Sequence, residues 1–328
     1  MDGLFPLIRG KVCLVTGGGG SIGSELVRQL SALGTEKIII ADINENGAYE
    51  ISREVGDNAC VEIASVRDYK KMDYIMSQYR PNIVFHTAAH KHVPFMEENP
   101  EEAVKNNIRG TEIMTELASM YEADNFVLIS TDKAVEPVSI MGASKRICEM
   151  LVYEKSLLSS HTRFAAVRFG NVINSNGSVI PLFKRQIENG VVTVTHKDVT
   201  RYFMTIPQAA YLVLCSLAQE GNGGIFVLDM GESVKILDIA EELIREAGME
   251  PYKDVKIEFT GLRKGDKLRE KLFYDNEIPV ETSNEKIMRV DGSSIDNLAE
   301  SVEKLYQMAD VNDKDGIRHL IMEITKGE

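Results

Sequence analysis

A run of four glycines near the start of the chain, Gly17–Gly20, restricts the possible folds more than any other feature. It follows the apolar segment Lys11–Thr16 and precedes a helical pattern over Ser24–Leu33. The order strand, glycine turn, helix lets backbone N–H groups approach a pyrophosphate at the positive end of the helix. A purely structural turn is the alternative. We interpret the segment as a dinucleotide-binding loop with the candidate binding residues Gly17, Gly20, Ser21, Ile22 and Gly23.

Strand and helix patterns alternate over the first half of the chain. Apolar runs that predict strands occur at Lys37–Asp42, Ala59–Ala64, Ile83–His86, Phe126–Ile129 and Phe164–Phe169. Such alternation is typical of an α/β fold with a doubly wound parallel sheet, the Rossmann arrangement. From residue 170 onward the elements become shorter, which indicates a smaller second lobe. The predicted Rossmann domain comprises residues 1–169 and 203–230, and the predicted lobe comprises residues 170–202 and 231–328.

The second predicted strand ends in a carboxylate, Asp42. In this kind of fold, the residue that binds the ribose 2′-hydroxyl of NAD is expected about twenty residues after the glycine loop. Asp42 would repel a 2′-phosphate, and residues 43–47 contain no Lys or Arg to receive one, so NAD is favoured over NADP. Asp42 could also cap the next helix. After the fourth strand, Ala88 and Ala89 leave space for a cofactor, and Lys91 is either a binding residue or a surface lysine.

The composition argues against several classes of function. A net charge of −13 over 328 residues disfavours a nucleic acid or an anionic membrane as the main partner. No apolar run is long enough for a membrane span and the first residues lack the apolar core of a signal peptide, so a cytoplasmic protein is expected. The four widely spaced cysteines are expected to be reduced. His86, His90 and His92 lack the neighbouring ligands that would complete a metal site, so no metal is expected.

Candidate catalytic residues follow the fifth predicted strand. Thr131, Asp132 and Lys133 should emerge at the carboxyl edge of the sheet, where open α/β folds bind ligands. Met141 and Lys145 have the spacing at which many nicotinamide enzymes place a Tyr and a Lys. A thioether does not transfer protons. Acid–base chemistry would therefore fall to Thr131, Asp132, Lys133 and Lys145.

The segment Gly261–Lys271 is basic although the protein is acidic, because five of its eleven residues are Lys or Arg. Guanidinium and ammonium groups in one loop suit a substrate that carries a diphosphate. The alternative is an ordinary solvated run of charges.

Together, these motifs resemble the extended short-chain dehydrogenase/reductase family. The residues that carry the resemblance are Thr16-Gly-x-x-Gly-x-x-Gly23, Asp42, His86-x-Ala-Ala89 and the x-x-x-Lys145 spacing. From about Arg9 to about Tyr274 the chain is similar, more narrowly, to UDP-N-acetylglucosamine 4,6-dehydratases. That narrower resemblance is carried by Gly17–Glu25, Ala89–Pro94, Ser130–Ala134, Met141–Lys145, Arg168–Val172, Thr200–Thr205 and Gly261–Arg263.

The resemblance implies a soluble NAD-dependent hydro-lyase of nucleotide-sugar and polysaccharide biosynthesis, active as a homo-oligomer. In the implied reaction, hydride leaves carbon 4 of UDP-N-acetylglucosamine, water is lost across carbons 5 and 6, and hydride returns to carbon 6. The product is a UDP-4-keto-6-deoxy-N-acetylhexosamine. Met141 is similar to the branch of the family that is thought to retain the configuration at carbon 5. Lys264 departs from the Pro that the family often has in this loop.

We assign roles on this basis. Lys133 is the base at carbon 5, which requires a neutral amine. Asp132 accepts the carbon 4 hydroxyl proton, directly or through water, and then protonates the carbon 6 hydroxyl. Thr131 orients the carbon 4 hydroxyl, and Lys145 binds the nicotinamide ribose. Arg201 and Arg263 are expected at the diphosphate, and Asn171 and Glu270 near uridine or ribose. The full set of candidate substrate-binding residues is Lys91, Asn171, Val172, Arg201, Arg263 and Glu270.

Two other functions remain open at this level. A nucleotide-sugar 4-epimerase would share the fold and NAD, but it would return hydride to carbon 4 and would not need Asp132 and Lys133. A non-catalytic NAD-sensing scaffold would explain a missing tyrosine, although Lys145 and the Thr131–Lys133 segment are retained.

Overall fold

The computed structural model describes residues 4–175 and 177–326. It contains one large sheet and several two-stranded ones. The strands are β1 (Val12–Thr16), β2 (Lys37–Asp42), β3 (Ala59–Ile63), β4 (Ile83–His86), β5 (Asn125–Ile129), β6 (Arg163–Arg168), β7 (Asn171–Ile173), β8 (Val191–Val194), β9 (Thr200–Arg201), β10 (Phe203–Thr205), β11 (Ile225–Leu228), β12 (Val234–Lys235), β13 (Lys256–Phe259), β14 (Val280–Glu281) and β15 (Ile287–Val290).

Helices connect most of these strands. A π-helical segment at Ala103–Ile108 joins the helices Pro100–Glu102 and Arg109–Met120. Short 3-10 turns occur at Gly56–Asn58, Asp132–Ala134 and Ser216–Ala218. The α-helices are α1 (Phe5–Ile8), α2 (Ser21–Ala32), α3 (Glu45–Val55), α4 (Tyr69–Tyr79), α5 (Val93–Glu98), α6 (Pro100–Glu102), α7 (Arg109–Met120), α8 (Ile140–Leu158), α9 (Val179–Glu188), α10 (Ile206–Cys215), α11 (Ile236–Glu246), α12 (Leu298–Asp310) and α13 (Lys314–Lys326).

The large sheet has nine strands in the order β14-β15-β11-β6-β5-β4-β1-β2-β3. The seven strands from β3 to β11 are parallel, whereas β15 is antiparallel to β11 and β14 is antiparallel to β15. The strand order reverses between β1 and β4, and a crevice at such a reversal is where this kind of sheet binds ligands. The predicted doubly wound parallel sheet is confirmed.

Helices cover both faces of the sheet, as the near-continuous apolar sequences of its central strands require. On one face, α2, α3 and α10 contribute side chains such as Leu26, Ile51 and Leu212 to a buried apolar cluster. On the other face, α4 and α7 contribute Met76 and Leu117, and α8 packs beside them. The strand ends between these layers are therefore the accessible part of the sheet.

A separate apolar cluster lies in the region of short elements. It is formed by α9, β8, β13 and α11 and includes Phe183, Val192, Ile244 and Ile257. This agrees with a smaller lobe, but the predicted C-terminal boundary needs correction. Strands β14 and β15 extend the main sheet, and α12 and α13 share an apolar cluster with α8. Residues 280–326 therefore pack on the Rossmann domain, and we propose that the lobe ends before them.

In the part of the chain that the structure describes, no helix is long and apolar enough to cross a membrane.

Candidate active site

The glycine loop after β1 is packed so tightly that side chains are excluded from it. An added Cβ on Gly17, which has φ +69°, would lie 2.8 Å from the backbone of Ala88. A Cβ on Gly19 would lie 2.8 Å from Gly47, and one on Gly23 would overlap the carbonyl oxygen of Gly17. The loop therefore presents bare backbone at the start of α2, where N–H groups and the helix dipole favour a phosphate. Its shape fits the pyrophosphate of a dinucleotide.

The sequence prediction named Gly17, Gly20 and Gly23 but omitted Gly19, which makes the close approach to α3. Gly20 precedes α2 as its N-terminal cap, and Ser21 is the first helical residue. Ile22 is partly buried against the apolar core. The sequence contains a signal that could have identified Gly19, namely the run of four glycines. Any glycine of that run could have been the one that packs against α3.

Asp42 lies at the end of β2 and holds the glycine loop. Its two carboxylate oxygens accept hydrogen bonds from the backbone N–H groups of Gly19 and Asn44, each at 2.8 Å. The cap of α3 is Asn44, whose side chain accepts from Gly47, so the alternative role of Asp42 as a helix cap is wrong. A carboxylate beside the loop suits a ribose hydroxyl and opposes a 2′-phosphate.

The ends of β1 and β4 are joined by hydrogen bonds between side chains. Thr16 Oγ1 lies 2.9 Å from His86 Nδ1, and Thr87 Oγ1 donates to the carbonyl of Thr16 at 2.7 Å. Burial lowers the pKa of His86 to about 3, so this histidine is a neutral structural residue. The loop that follows it carries Ala88 and Ala89 past the glycines, as predicted for a cofactor crevice.

A buried amide holds the loop after β4 against α8. Asn107, in the π-helical segment, accepts from the backbone N–H of His90 at 2.8 Å and donates to the carbonyl of His90 at 3.0 Å. It also donates to Ser144 Oγ at 3.0 Å. Ser144 precedes Lys145, so this contact orients the turn of α8 that carries the lysine. Burial lowers the pKa of Lys145.

The candidate catalytic residues lie on a short 3-10 turn that follows β5. Thr131 caps the turn, and the backbone N–H of Asp132 donates to the carbonyl of Phe169 at 3.0 Å, which joins the ends of β5 and β6. Gly142 of α8 packs directly against the carbonyl of Lys133, where a Cβ would overlap it. The turn is therefore held on both sides by the tertiary structure.

Asp132 and Lys133 form an ion pair inside this turn. Lys133 Nζ lies 2.9 Å from Asp132 Oδ1, which also accepts from Thr131 Oγ1 at 3.0 Å. The Asp132 side chain is fully buried, and its other oxygen, Oδ2, has no hydrogen-bond partner among the described residues. A Cβ on Gly170 would lie 3.1 Å from that oxygen and 2.9 Å from Cβ of Tyr202, so Asp132 Oδ2 packs tightly against the backbone of Gly170. A buried acceptor of this kind suits a substrate hydroxyl.

The charged form of Lys133 is favoured in this arrangement. Burial lowers the pKa of its ammonium, but the carboxylates of Asp132 and Glu270 outweigh that effect and the net direction is upward. A base at carbon 5 must be neutral, so Lys133 has to lose a proton before it can act in the assigned role. The sequence did not reveal the contribution of Glu270 to this charge, because Glu270 is distant along the chain.

Asn171 and Glu270 lie beside Lys133. Lys133 Nζ donates to Asn171 Oδ1 at 3.2 Å and lies 3.7 Å from Glu270 Oε1. Arg201 Nε is 3.8 Å from the same carboxylate oxygen. Val172 pairs with Met204 in the small sheet formed by β7 and β10. The structure thus brings three of the predicted substrate residues together at the catalytic turn.

The remaining predicted substrate residues are more exposed. The guanidinium of Arg263 is paired with Asp266 at 3.1 Å, and its side chain is 62% exposed. Lys91 is an exposed residue of the loop after β4. Arg201 donates to the carbonyls of Thr200, at 2.7 Å, and Lys267, at 2.9 Å, so it holds the basic segment in place.

Met141 is almost completely buried in the apolar cluster that joins α8 to α12 and α13. The thioether therefore provides packing at the position where a tyrosine would provide a hydroxyl. This agrees with the assignment of proton transfer to the turn after β5.

A buried network of charges that sequence reasoning missed supports the site. Glu149 of α8 accepts from Ser130 Oγ at 2.6 Å, from Arg146 at 3.1 Å and from Arg168 at 2.8 Å. Arg168 also pairs with Glu277 at 2.8 Å. No local sequence pattern predicts the ion pairs of Arg168, because its partners lie on other elements. The network fixes the residue that immediately precedes the catalytic turn.

Sheet order, glycine loop and catalytic turn together define a Rossmann-type protein of the extended short-chain dehydrogenase/reductase class. The family model described as "Polysaccharide biosynthesis protein" matches residues 13–292, and the chain belongs to this family. The chain is 52% identical over 287 residues to the probable polysaccharide biosynthesis protein EpsC of Bacillus subtilis, a match that covers 85% of this chain and 48% of the relative. The chain therefore spans about half the length of that relative.

Relatives with stated activities are more distant. Over 271 residues the chain is 33% identical to a UDP-N-acetylglucosamine 4,6-dehydratase (inverting) of Campylobacter jejuni, which covers 80% of this chain and 78% of the relative. It is 34% identical over 281 residues to a UDP-glucose 4-epimerase of Rickettsia rickettsii, which covers 82% of this chain and 79% of the relative. The family therefore contains NAD-type nucleotide-sugar enzymes of two reaction classes.

Solved structures support the same fold. The structure of Pen from Bacillus thuringiensis superimposes with a TM-score of 0.80 at 31% identity, and the match covers 87% of this chain and 90% of Pen. The dTDP-glucose 4,6-dehydratase DesIV of Streptomyces venezuelae, solved with NAD, gives a TM-score of 0.70 at 20% identity over 80% of this chain and 88% of DesIV. At that identity the second match supports the fold alone.

Proposed function

We propose that the chain binds NAD and converts UDP-N-acetylglucosamine into a UDP-4-keto-6-deoxy-N-acetylhexosamine, with retention at carbon 5, for polysaccharide biosynthesis. The glycine loop, Asp42 and Lys145 hold the cofactor. When bound, NAD accepts the hydride that leaves carbon 4 and donates the hydride that arrives at carbon 6. Once carbon 4 is a ketone, the proton on carbon 5 is acidic because its loss yields an enolate. The protein must then supply a base at carbon 5 and an acid at the carbon 6 hydroxyl.

Asp132 takes the proton of the carbon 4 hydroxyl and later delivers it to the departing carbon 6 hydroxyl. Its Oδ2 oxygen is buried against Gly170 and lacks a hydrogen-bond partner among the described residues, so it can accept a substrate hydroxyl once the site opens to the substrate. Thr131, which already donates to Oδ1, orients the substrate hydroxyl. Because Met141 has no exchangeable proton, the carboxylate replaces the usual tyrosine.

Lys133 removes the proton from carbon 5 as a neutral amine. Its ammonium is stabilised by Asp132 and Glu270, and the Asp132 contribution disappears when that carboxylate accepts the carbon 4 proton. The pKa of Lys133 then falls at the stage when a base is needed, and the released proton can reach solvent because the side chain is 21% exposed. Two neighbouring groups with linked protonation states can divide acid and base roles in this way.

The substrate's UDP group is assigned to the surrounding residues. Arg201 and Arg263 provide positive charge for the diphosphate, with Lys91 at the rim. Glu270, Asn171 and Val172 line the approach to Lys133, and the first two connect the nucleotide side of the pocket to the base. The single observation that carries the proposal is the buried Asp132–Lys133 ion pair at the carboxyl edge of the sheet.

The test is incubation with UDP-N-acetylglucosamine in deuterated water, followed by NMR of the product. We expect loss of water, deuterium at carbon 5 and retained configuration there. Asp132→Asn and Lys133→Met should each lower the rate by about 10²–10⁴-fold, the usual contribution of a general acid or base. Lys271→Met is the control, since this exposed lysine pairs with Glu136 and does not contact either residue. Near-wild-type turnover in either site variant would contradict the proposal.

A 4-epimerase is the second candidate, because an epimerase relative matches the chain about as well as the dehydratase relative. Mass spectrometry separates the two activities, since dehydration removes one water and epimerisation leaves the mass unchanged. Epimerisation also leaves carbon 5 untouched, so it would introduce no deuterium there. Asp132 and Lys133 favour the dehydratase, because an epimerase has no elimination step for them to catalyse.

A further inference from the structure

A second lysine, Lys267, approaches the same carboxylate as Lys133. Lys267 Nζ lies 3.6 Å from Glu270 Oε2, and Lys133 Nζ lies 3.7 Å from Glu270 Oε1. The Glu270 side chain is only 3% exposed. One buried carboxylate is thus shared by two ammonium groups, one on each oxygen.

Lys267 also contacts the backbone of the catalytic turn. Its ammonium donates to the carbonyl of Val135, whose own N–H donates to the carbonyl of Asp132 at 3.2 Å. On the other side, the carbonyl of Lys267 accepts from Arg201 at 2.9 Å. Lys267 therefore connects the basic segment with the residue that closes the turn.

The side chain of Lys267 is less exposed than those of Arg263 and Lys264 in the same basic segment. The side chains of Arg263 and Lys264 are 62% and 73% exposed, whereas that of Lys267 is 15% exposed. Removing an ammonium from water costs several kcal/mol by order of magnitude unless partners compensate. A solvated run of charges does not require that cost, so the burial of Lys267 indicates a role inside the site.

We propose that Lys267 is a positioning residue of this site, which shares the Glu270 carboxylate with Lys133 and so limits how firmly the charge of Lys133 is held. Its link to catalysis rests on the proposed function, but the sharing of charge does not. The groups that face Lys133 are Asp132 and Glu270, which favour its ammonium form, and Arg201, which opposes it. Lys267 faces the same two carboxylates.

The direction of the effect follows from these contacts. Without the charge of Lys267, Glu270 is shared only between Lys133 and Arg201, and a nearby positive charge is lost. Both changes raise the pKa of Lys133, because each leaves more net negative charge around its ammonium. A base with a higher pKa is neutral only at higher pH, so the ascending limb of the pH–rate profile should move up by the same amount.

The test measures the protonation of Lys133 directly, without substrate. Competitive acetylation with acetic anhydride across a pH series, read by peptide mass spectrometry, yields apparent pKa values for individual lysines. Lys267→Gln removes the charge and keeps a donor for the Val135 carbonyl, Lys267→Arg keeps the charge, and Lys271→Gln is the matched control. Lys271 also contacts the stretch after the turn, through Glu136 at 2.7 Å.

We expect the pKa of Lys133 to rise in Lys267→Gln and to stay at the wild-type value in Lys267→Arg and Lys271→Gln. An unchanged value in Lys267→Gln, or an equal rise in Lys271→Gln, would overturn the inference. Glu270→Gln removes the shared carboxylate and should lower the pKa of both Lys133 and Lys267, and an unchanged value at either lysine would overturn the inference even if Lys267→Gln failed to fold. The labelling result stands whether or not UDP-N-acetylglucosamine is the substrate; the pH–rate shift tests the link to catalysis.

Discussion

Replacing Glu149 by Gln should destabilise the protein strongly. Glu149 and Arg168 are completely buried, Arg146 is 2% exposed, and Glu277 completes a network of two cations and two anions. The substitution keeps the size of the side chain but removes its charge. It leaves two buried guanidinium groups with one carboxylate and places an amide N–H₂ beside them.

The expected loss is about 3–5 kcal/mol in the free energy of unfolding, which is the usual cost of leaving a buried charge without its partner. A typical domain has only about 5–15 kcal/mol in total, so the change is large. The variant Arg146→Met/Glu149→Gln restores one cation to one anion. It should therefore be less destabilised than Glu149→Gln alone, which distinguishes the charge imbalance from poor packing.

The assay is urea unfolding followed by circular dichroism, with Glu154→Gln as the control. Glu154 is on the same helix and accepts one hydrogen bond, from Ser294 at 2.7 Å, which a glutamine can also accept. The control should lose much less stability than Glu149→Gln. If Glu149→Gln lost no more than the control, or if the double variant were less stable than the single one, the reasoning would be refuted.

The same network predicts a dependence on pH. Burial raises the pKa of Glu149, but Arg168, Arg146 and Ser130 outweigh it and hold that pKa below the ordinary 4.5. A carboxylate whose folded pKa is depressed stabilises the fold fully above its unfolded pKa and loses that contribution as the pH falls through the folded value. The wild type should therefore lose stability below pH 4.5 more steeply than Glu149→Gln does.

Three further outcomes are expected. Gly23→Ala should weaken NAD binding about tenfold or more, because the new Cβ overlaps the carbonyl of Gly17 and the loop must shift. Calorimetry measures the NAD affinity, with Ser24→Ala as the control. Equal affinities of the two variants would contradict the loop assignment. Met141→Tyr should change the rate and the pH–rate profile by adding a proton acceptor, whereas an unchanged profile would count against a missing shuttle. Arg263→Ala should weaken UDP binding in calorimetry, and undiminished binding would remove Arg263 from the site.

Much of the fold could be read from local sequence patterns. Apolar runs separated by helical periodicity predicted the parallel strands from β1 to β6 and the return of β11, because each strand and helix has a pattern that is visible within about ten residues. The end of the sheet could not be predicted in this way. Strands β14 and β15 are short, and the antiparallel pairing of β15 with β11 joins residues as far apart in the chain as Ile225 and Val290.

The candidate site shows the same division. Thr131, Asp132 and Lys133 are adjacent in sequence and follow a strand, so their place at the sheet edge could be predicted. That Lys133 shares its surroundings with Glu270 could not, since the two residues meet only after the basic segment folds back onto the turn. Glu270 adds to the effect of Asp132 in holding the ammonium form of Lys133.

The sequence by itself determined the class of fold and the positions of the glycine loop and of the Thr131–Lys133 turn, because each follows from residue types at short, regular spacing. Only the tertiary structure decided which carboxylate balances which cation. Arg168 meets Glu277 across 109 residues, and Lys267 meets the catalytic turn at Val135 across 132 residues. No local pattern encodes such pairs, since electrostatic interactions depend on distance in space and on burial, and both arise only when the chain is folded.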